Sequence, residues 1–295
     1  MSSITLLSPA KINLTLEVLG VRTDGYHEIR SIIQPIDLFD EVSIDVEEGE
    51  GIEIESSGVS IPTGKDNLAW RAAELFLQKS GINRKINIFI KKRIPLGAGL
   101  GGGSSNAAAV LIGLNRITNA LSEDDLYEIA PKISADVPFF IRSLTASMEG
   151  IGEKLSIIKE FPIFHYVILC PNLHTSTPEV YKKWDELNII PKDNIAPAEY
   201  NLEGCIKKFI DKNGDLPLQN DLEEPAISVH PEIASYKKML TSLDIKSVLM
   251  TGSGSAVYAV FRSEEEAFEM YEYLKTSPTF QVFLASGIKG WHRLI

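Results

Sequence analysis

Five glycines fall within the nine residues Gly97 to Ser105, in the order Gly-Ala-Gly-Leu-Gly-Gly-Gly-Ser-Ser. Glycine-rich backbone can curl around phosphate oxygens and aim several N–H groups at them. Asn106 to Ile117 is rich in Ala and Leu and free of proline, which predicts a helix whose N-terminal dipole adds to the attraction. Gly97, Gly99 and Gly102 also satisfy G-x-G-x-x-G. A dinucleotide-binding unit, however, needs a second strand ending in an acid about 20 residues on, and that distance lands on Glu123 and Asp124 at a helix start. No Lys-Ser or Lys-Thr follows the glycines, and the H-R-D and D-F-G motifs of protein kinases are missing. The loop reads as a nucleotide phosphate loop of another kind.

Strand and helix signals surround this loop without a regular βαβ rhythm, which predicts a layered α+β sandwich rather than a doubly wound sheet. Lys11 to Val18 alternates strictly, with Ile12, Leu14, Leu16 and Val18 on one face and Lys11, Asn13, Thr15 and Glu17 on the other, so Lys11 and Asn13 point the same way. A turn at Thr23-Asp24-Gly25 leads to strand signals at Val42–Ile44, Ile52–Ile54 and Ile86–Ile90. Asp66 or Asn67 can cap a helix through about Ser80, and Ser122 and Ser263 begin capping boxes for two more. The helix after Ser122 is expected to end near Ser134, and Asp136 to be held by an extended Val137-Pro138 turn. Tyr166–Leu169, Ser247–Met250, Ala256–Phe261 and Phe280–Leu284 read as later strands, with a surface loop over Ile189–Pro197. Two domains, 1–153 and 154–295, are expected, divided at the glycine-rich turn before Glu153.

The balance of 29 Lys and Arg against 40 Asp and Glu in 295 residues gives a net charge of −11, the wrong sign for binding a nucleic-acid backbone. No apolar run is long enough to span a membrane, and Met1-Ser2-Ser3 opens without the charged segment of an export signal. Two isolated cysteines, Cys170 and Cys205, support neither a disulfide framework nor a zinc site, which fits a cytoplasmic protein. His165, His174, His230 and His292 show no metal-ligand spacing.

Pro95 to Ala108 resembles the second motif of the GHMP kinase superfamily. The resemblance continues in Pro9-Ala10-Lys11-Ile12-Asn13-Leu14, in Arg22 to Glu28, in Ala135 to Phe140 and in Gly252-Ser253-Gly254-Ser255, and so spans nearly the whole chain. It implies a two-domain GHMP-kinase-like sandwich with the active site in a cleft between the domains. The Asp-Gly-Tyr-His and Ala-Asp-Val-Pro segments are similar to the branch that phosphorylates the 2-hydroxyl of 4-diphosphocytidyl-2-C-methylerythritol in the non-mevalonate route to isoprenoids. ATP would then lie along Pro95, Gly97, Gly99, Leu100, Gly101, Gly102, Gly103, Ser104 and Ser105, with Mg²⁺ whose protein ligands the sequence leaves unassigned. Asp136 would be the base and Lys11 its cationic neighbour.

Tyr26 and His27 resemble the branch's cytidine-binding pair, and Tyr181 stands where relatives place an aromatic ring. A cytosine stacked between Tyr26 and Tyr181 is one reading of Tyr181, and simple packing is the other. Asn13 can bond the substrate's polyol or be satisfied by backbone, while Gly252 and Ser253 would close over the reacting phosphate by the same resemblance. Ser134 departs from the superfamily's usual Gly, which predicts a changed helix end beside Asp136, and Ser143-Leu144 replaces a small, flexible step. Other acceptors of the superfamily (homoserine, mevalonate, a sugar) and a nucleotide-binding regulator without turnover are the competing functions.

Overall fold

The computed structural model describes residues 2–188, 202–211 and 216–290. Its frame is a long antiparallel hairpin of β1 (Ser2–Val21) and β2 (His27–Glu47), paired from Ser2 opposite Val46 to Val21 opposite His27. The turn closes where the Arg22 amide donates to the Tyr26 carbonyl at 2.7 Å and Asp24 Oδ1 accepts from the Tyr26 amide at 3.1 Å, an aspartate turn of the usual kind. Strands of 20 and 21 residues are several times the ordinary length, and the hairpin breaks its register between Pro9 and Ala10, Asn13 and Thr15, and Val18 and Gly20. Such bulges re-aim side chains. Ile12 and Leu14 accordingly pack into one core and Leu16 and Val18 into the other. The strict alternation expected for this strand holds in residue type but not in facing, and Lys11, Asn13 and Thr15 are buried rather than solvated.

The first sheet runs β3 (Gly51–Gly58), β4 (Lys85–Lys92), β2, β1, β8 (Gln219–Asn220), with β5 (Ala146–Gly150) paired to the turn-proximal half of β2 and β6 (Lys154–Ile157) outside β5. Strands β6 and β8 enter this sheet from beyond residue 153. Four helices accompany it: α1 (Leu68–Ser80), α2 (Gly102–Thr118), α3 (Glu123–Ile133) and α4 (Val137–Arg142). The caps follow the sequence. Asn67 Oδ1 accepts from the Ala69 amide at 2.9 Å, and Ser122 and Asp125 complete a reciprocal capping box. A second, antiparallel sheet runs β11 (Phe280–Ser286), β7 (His165–Pro171), β10 (Val257–Phe261), β9 (Val248–Met250). It is accompanied by α5 (Thr177–Leu187), α6 (Leu202–Ile210), α7 (Glu223–Val229), α8 (Glu232–Ser242) and α9 (Glu264–Leu274), of which α9 is capped by Ser263.

The core between the sheets holds Ile12, Leu14 and Ile32 of the first with Tyr166, Ile168 and Tyr258 of the second. Two buried phenols cross it: Tyr258 donates to the Asn13 carbonyl at 2.8 Å and Tyr166 to Gln34 Oε1 at 2.5 Å. Buried hydroxyls need partners, and these partners lie on the opposite sheet, so the sheets are held at one relative position. The surface loop expected over Ile189–Pro197 lies outside the described residues.

Candidate functional site

Helix α2 begins four residues earlier than its Ala-rich run, at Gly102, so the last glycines belong to the first helical turn. Gly101 caps it at φ 71°. This left-handed conformation suits glycine, and a Cβ there would lie 2.8 Å from Phe140 and 3.0 Å from Lys11 Cγ. The first amides of a helix have no intrahelical acceptor, and Gly101 offers no side chain to take them. The amides of Gly102, Gly103 and Ser104 therefore form an anion-seeking end.

The loop is gripped from both sides. The Lys11 amide donates to the Leu100 carbonyl at 3.0 Å, the Ala256 amide to the Ala98 carbonyl at 3.2 Å, and the Thr175 hydroxyl to the Gly97 carbonyl at 3.0 Å. Gly99 lies against the Thr251 carbonyl, and a Cβ on Gly252 would fall 3.1 Å from the Gly99 carbonyl and 3.2 Å from Lys11 Nζ. The Gly252–Ser253 turn and the glycine loop thus meet over the Lys11 ammonium. Leu100 is buried in the core between the sheets and anchors the loop by its side chain.

Lys11 Nζ donates to Asn13 Oδ1, as their shared facing requires, and the Asn13 amide donates to Thr251 Oγ1 at 3.1 Å. Asn13 Nδ2 donates to Ser31 Oγ at 2.9 Å, so this side chain is satisfied by protein on both ends. Burial pushes the Lys11 ammonium below the usual lysine range, and the charge of Asp136 works against that shift. Burial first, and the same Asp136 charge second, hold the Tyr181 phenol above its ordinary range. The charge of Asp136 thus acts on both residues. Its backbone is helical (φ −80°, ψ −15°) and it caps α4, with Pro138 in the first turn, where a missing N–H costs nothing. The extended Val137-Pro138 turn expected from the sequence is thus replaced by a helix start, and the Asp136 carboxylate makes no capping bond. Ser134 takes an extended φ of −165°, needs no left-handed cap, and meets Ser104 Oγ at 3.1 Å. Ser143 instead carries the left-handed cap, at φ 48°.

Beneath the loop lies a buried polar cluster that no motif announced. Asp40, fully buried, accepts from the amides of Arg93 at 2.7 Å and Ile94 at 2.8 Å, from Asn106 Nδ2 at 2.9 Å and from Lys92 Nζ. These bonds fix the chain just before Pro95. A Cβ on Gly102 would lie 2.8 Å from Lys92 Nζ, so this cation stands at the amide end of α2. Burial lowers the Lys92 pKa, and Asp40 opposes the shift. The Ser8 hydroxyl donates to Ser105 Oγ at 2.7 Å, and Ser105, fully buried, faces this cluster rather than the loop's open side. The only sequence signal was polar residues at positions of strand period, Ser8, Asp40 and Lys92, inside otherwise apolar strands.

Tyr26 stands 61% exposed at the hairpin tip. His27 turns inward, its ring 4.6 Å from that of Tyr181 and edge-on to Trp184 at 5.6 Å, with Nε2 2.8 Å from Asp185 Oδ1. The hairpin tip and α5 therefore form one aromatic corner, in which Tyr181 packs on His27. Ser253 Oγ and Thr177 Oγ1, 2.7 Å apart, tie the start of α5 to the glycine turn. Of the remaining histidines, His174 packs on Gly97, His165 Nδ1 lies 2.8 Å from Ser286 Oγ, and His292 lies outside the described residues. Among the described residues no group of three or more His, Cys, Asp or Glu side chains could hold a metal ion. No helix among them is long and apolar enough to cross a membrane.

Residues 67–143 match the GHMP kinases N terminal domain, and residues 199–278 match the GHMP kinases C terminal domain. The chain is 40% identical over 270 residues to 4-diphosphocytidyl-2-C-methyl-D-erythritol kinase of Citrifermentans bemidjiense, covering 90% of this chain and 92% of that one. It is 42% identical over 269 residues to the protein of that name from Clostridioides difficile, covering 90% of each. A crystal structure of 4-(cytidine 5'-diphospho)-2C-methyl-D-erythritol kinase superposes with a TM-score of 0.80 at 33% identity, over 97% of this chain and all of that one. A homoserine kinase from Cytophaga hutchinsonii superposes at 0.71 with 19% identity, a likeness of fold.

Proposed function

Since the chain belongs to the GHMP kinases, and within them to the 4-diphosphocytidyl-2-C-methyl-D-erythritol kinases, we propose that it moves the γ-phosphoryl group of ATP onto the 2-hydroxyl of 4-diphosphocytidyl-2-C-methyl-D-erythritol. The observation that carries this reading is the meeting of Lys11 with the glycine loop on one side and the field of Asp136 on the other. Phosphoryl transfer asks mainly for positioning and charge stabilisation, and the glycine loop beside a buried ammonium supports that reading.

In the proposed reaction the triphosphate lies on the free amides of Gly102, Gly103 and Ser104. The acceptor oxygen forms its bond to the γ-phosphorus while the bond from that phosphorus to the β-bridging oxygen breaks, leaving ADP. Asp136 takes the hydroxyl proton late, and Lys11 stabilises charge on the attacking and transferring oxygens. Tyr26, His27 and Tyr181 receive the cytosine ring. Mg²⁺ would supply charge neutralisation on the phosphates. The hard hydroxyl oxygen of Ser104, at the amide end of α2, suits an ion held largely by phosphate and water. The division into a nucleotide-binding part, 1–153, and a substrate-side part, 154–295, and a cytoplasmic location without nucleic-acid partners, belong to the same proposal.

A coupled ADP-release assay across the cytidyl substrate, homoserine, mevalonate and galactose tests it. Turnover confined to the cytidyl substrate is the expected result. Preference for another alcohol would replace the acceptor, and nucleotide binding without turnover on any would leave a regulator.

A further inference from the structure

One short segment ties the first sheet to the turn at Gly252. Asn220 ends β8 beside Leu16 of β1 and is only 8% exposed. Its Nδ2 donates to the carbonyls of Met250 and Gly252, 2.8 Å each, and its Oδ1 accepts from the Leu222 amide at 3.0 Å. The next residues grip strands: Asp221 Oδ2 accepts from the Val18 amide at 2.9 Å, and Glu223 Oε2 accepts from the Met250 amide at 2.9 Å. Asn220 alone of these also holds the glycine turn.

That grip has a geometric consequence. A trans peptide is planar, so turning the Gly252 carbonyl toward Asn220 sends the Ser253 N–H the opposite way. Gly252 sits at φ 56°, and its open Cα side faces Lys11 Nζ and the Gly99 carbonyl. Thr251, between the two gripped carbonyls, accepts from the Asn13 amide and lies 3.4 Å from Asn13 Oδ1, the acceptor of Lys11.

We propose that Asn220 is a positioning residue for phosphoryl transfer, fixing the peptide planes of the Thr251–Gly254 turn and, through Thr251 and Asn13, the place of the Lys11 ammonium. This rests on the kinase reading above. The carboxamide supplies two donors to one short turn, which a carboxylate of the same shape lacks.

The test compares Asn220→Ala, Asn220→Asp and Asp221→Ala in the full chain. Both Asn220 variants are expected to lose at least about 30-fold in kcat while the KM for ATP stays within about threefold. Asp221→Ala is expected to lower Tm and to keep kcat per folded molecule within about twofold. A buried carboxyl takes up a proton more readily than an exposed one and then regains a donor, so the kcat of Asn220→Asp relative to the parent should rise as pH falls from about 8 to about 6. Loss of Tm with unchanged kcat in the Asn220 variants would overturn the proposal. Hydrogen exchange over residues 251–255 reads the same grip without an acceptor. Faster exchange in Asn220→Ala than in Asp221→Ala supports the proposal, and equal exchange sinks it. A parent without turnover on the cytidyl substrate would remove the acceptor assignment while the exchange result still decides the role of Asn220.

Discussion

Lys11 and Asn13 stand on the same side of β1 and are joined side chain to side chain, with the ammonium donating to a carboxamide oxygen although both residues are buried. This holds a charge where the protein would otherwise not keep one. With its folded pKa below the ordinary lysine value, the native state binds fewer protons than the unfolded chain between that lowered pKa and about 10.4, so stability rises with pH across this window. Below it the ammonium's burial cost is fully present. Lys11→Met should therefore raise Tm at pH 7, flatten the rise of stability toward alkaline pH, and lower kcat by about 10²–10³. A thermal melt and steady-state rates on one preparation check both halves. A fall in Tm would mean that the Asn13 bond outweighs the burial.

Asp136 makes no capping bond at α4, and its charge acts on Lys11 and Tyr181. Replacement by Asn keeps the shape and removes the proton acceptor. Asp136→Asn should cost about 10²–10⁴ in kcat while nucleotide affinity changes by less than about threefold. Rates near the parent's would remove the base from the proposed reaction.

What was legible in the sequence was local. Asn67, Ser122 and Ser263 cap the helices their chemistry suggested, and the alternation of Lys11 and Asn13 placed both on one side. The bulge between Asn13 and Thr15 was hidden, because apolar residues lie on both sides of a strand buried in two cores, and residue type then says nothing about which core each one enters. Asp40 and Lys92 escaped for a related reason. They are 52 residues apart, and only the pairing of β2 with β4 brings them under the loop. Gly102 and Gly103 read as loop because glycine disfavours helix, yet the side chains of Ile94 and Lys92 crowd Gly102 so closely that a larger residue would not fit.

The Asp40–Lys92 pair invites a stability prediction. Asp40 is fully buried and accepts four bonds, so Asp40→Ala leaves two amides, a carboxamide and an ammonium without their acceptor. Removing one member of a buried ion pair typically costs about 3–5 kcal/mol. Urea unfolding should show a loss of that size. Part should return in the double variant Asp40→Asn with Lys92→Met, which removes both charges and keeps an oxygen for the Arg93 and Ile94 amides. A double variant no more stable than Asp40→Ala would show that neither the stranded ammonium nor the two backbone bonds set the cost, leaving the lost acceptor of Asn106 Nδ2.

Tyr26 and Tyr181 should separate affinity from structure. The exposed Tyr26 ring has little to lose on truncation, so Tyr26→Ala should leave Tm within about 1 °C. A base stacked on an aromatic ring is worth about 1–3 kcal/mol, which corresponds to a rise of about 5–150-fold in KM for the cytidyl substrate, with the KM for ATP unchanged. Tyr181 is packed against His27, whose Nε2 is paired with Asp185. Tyr181→Ala should therefore raise the same KM and also lower Tm, since it opens the corner that orients His27. A Tyr26→Ala enzyme with an unaltered KM would mean that the base does not stack on Tyr26, and a change confined to Tyr181→Ala would place it on the His27–Tyr181 pair instead.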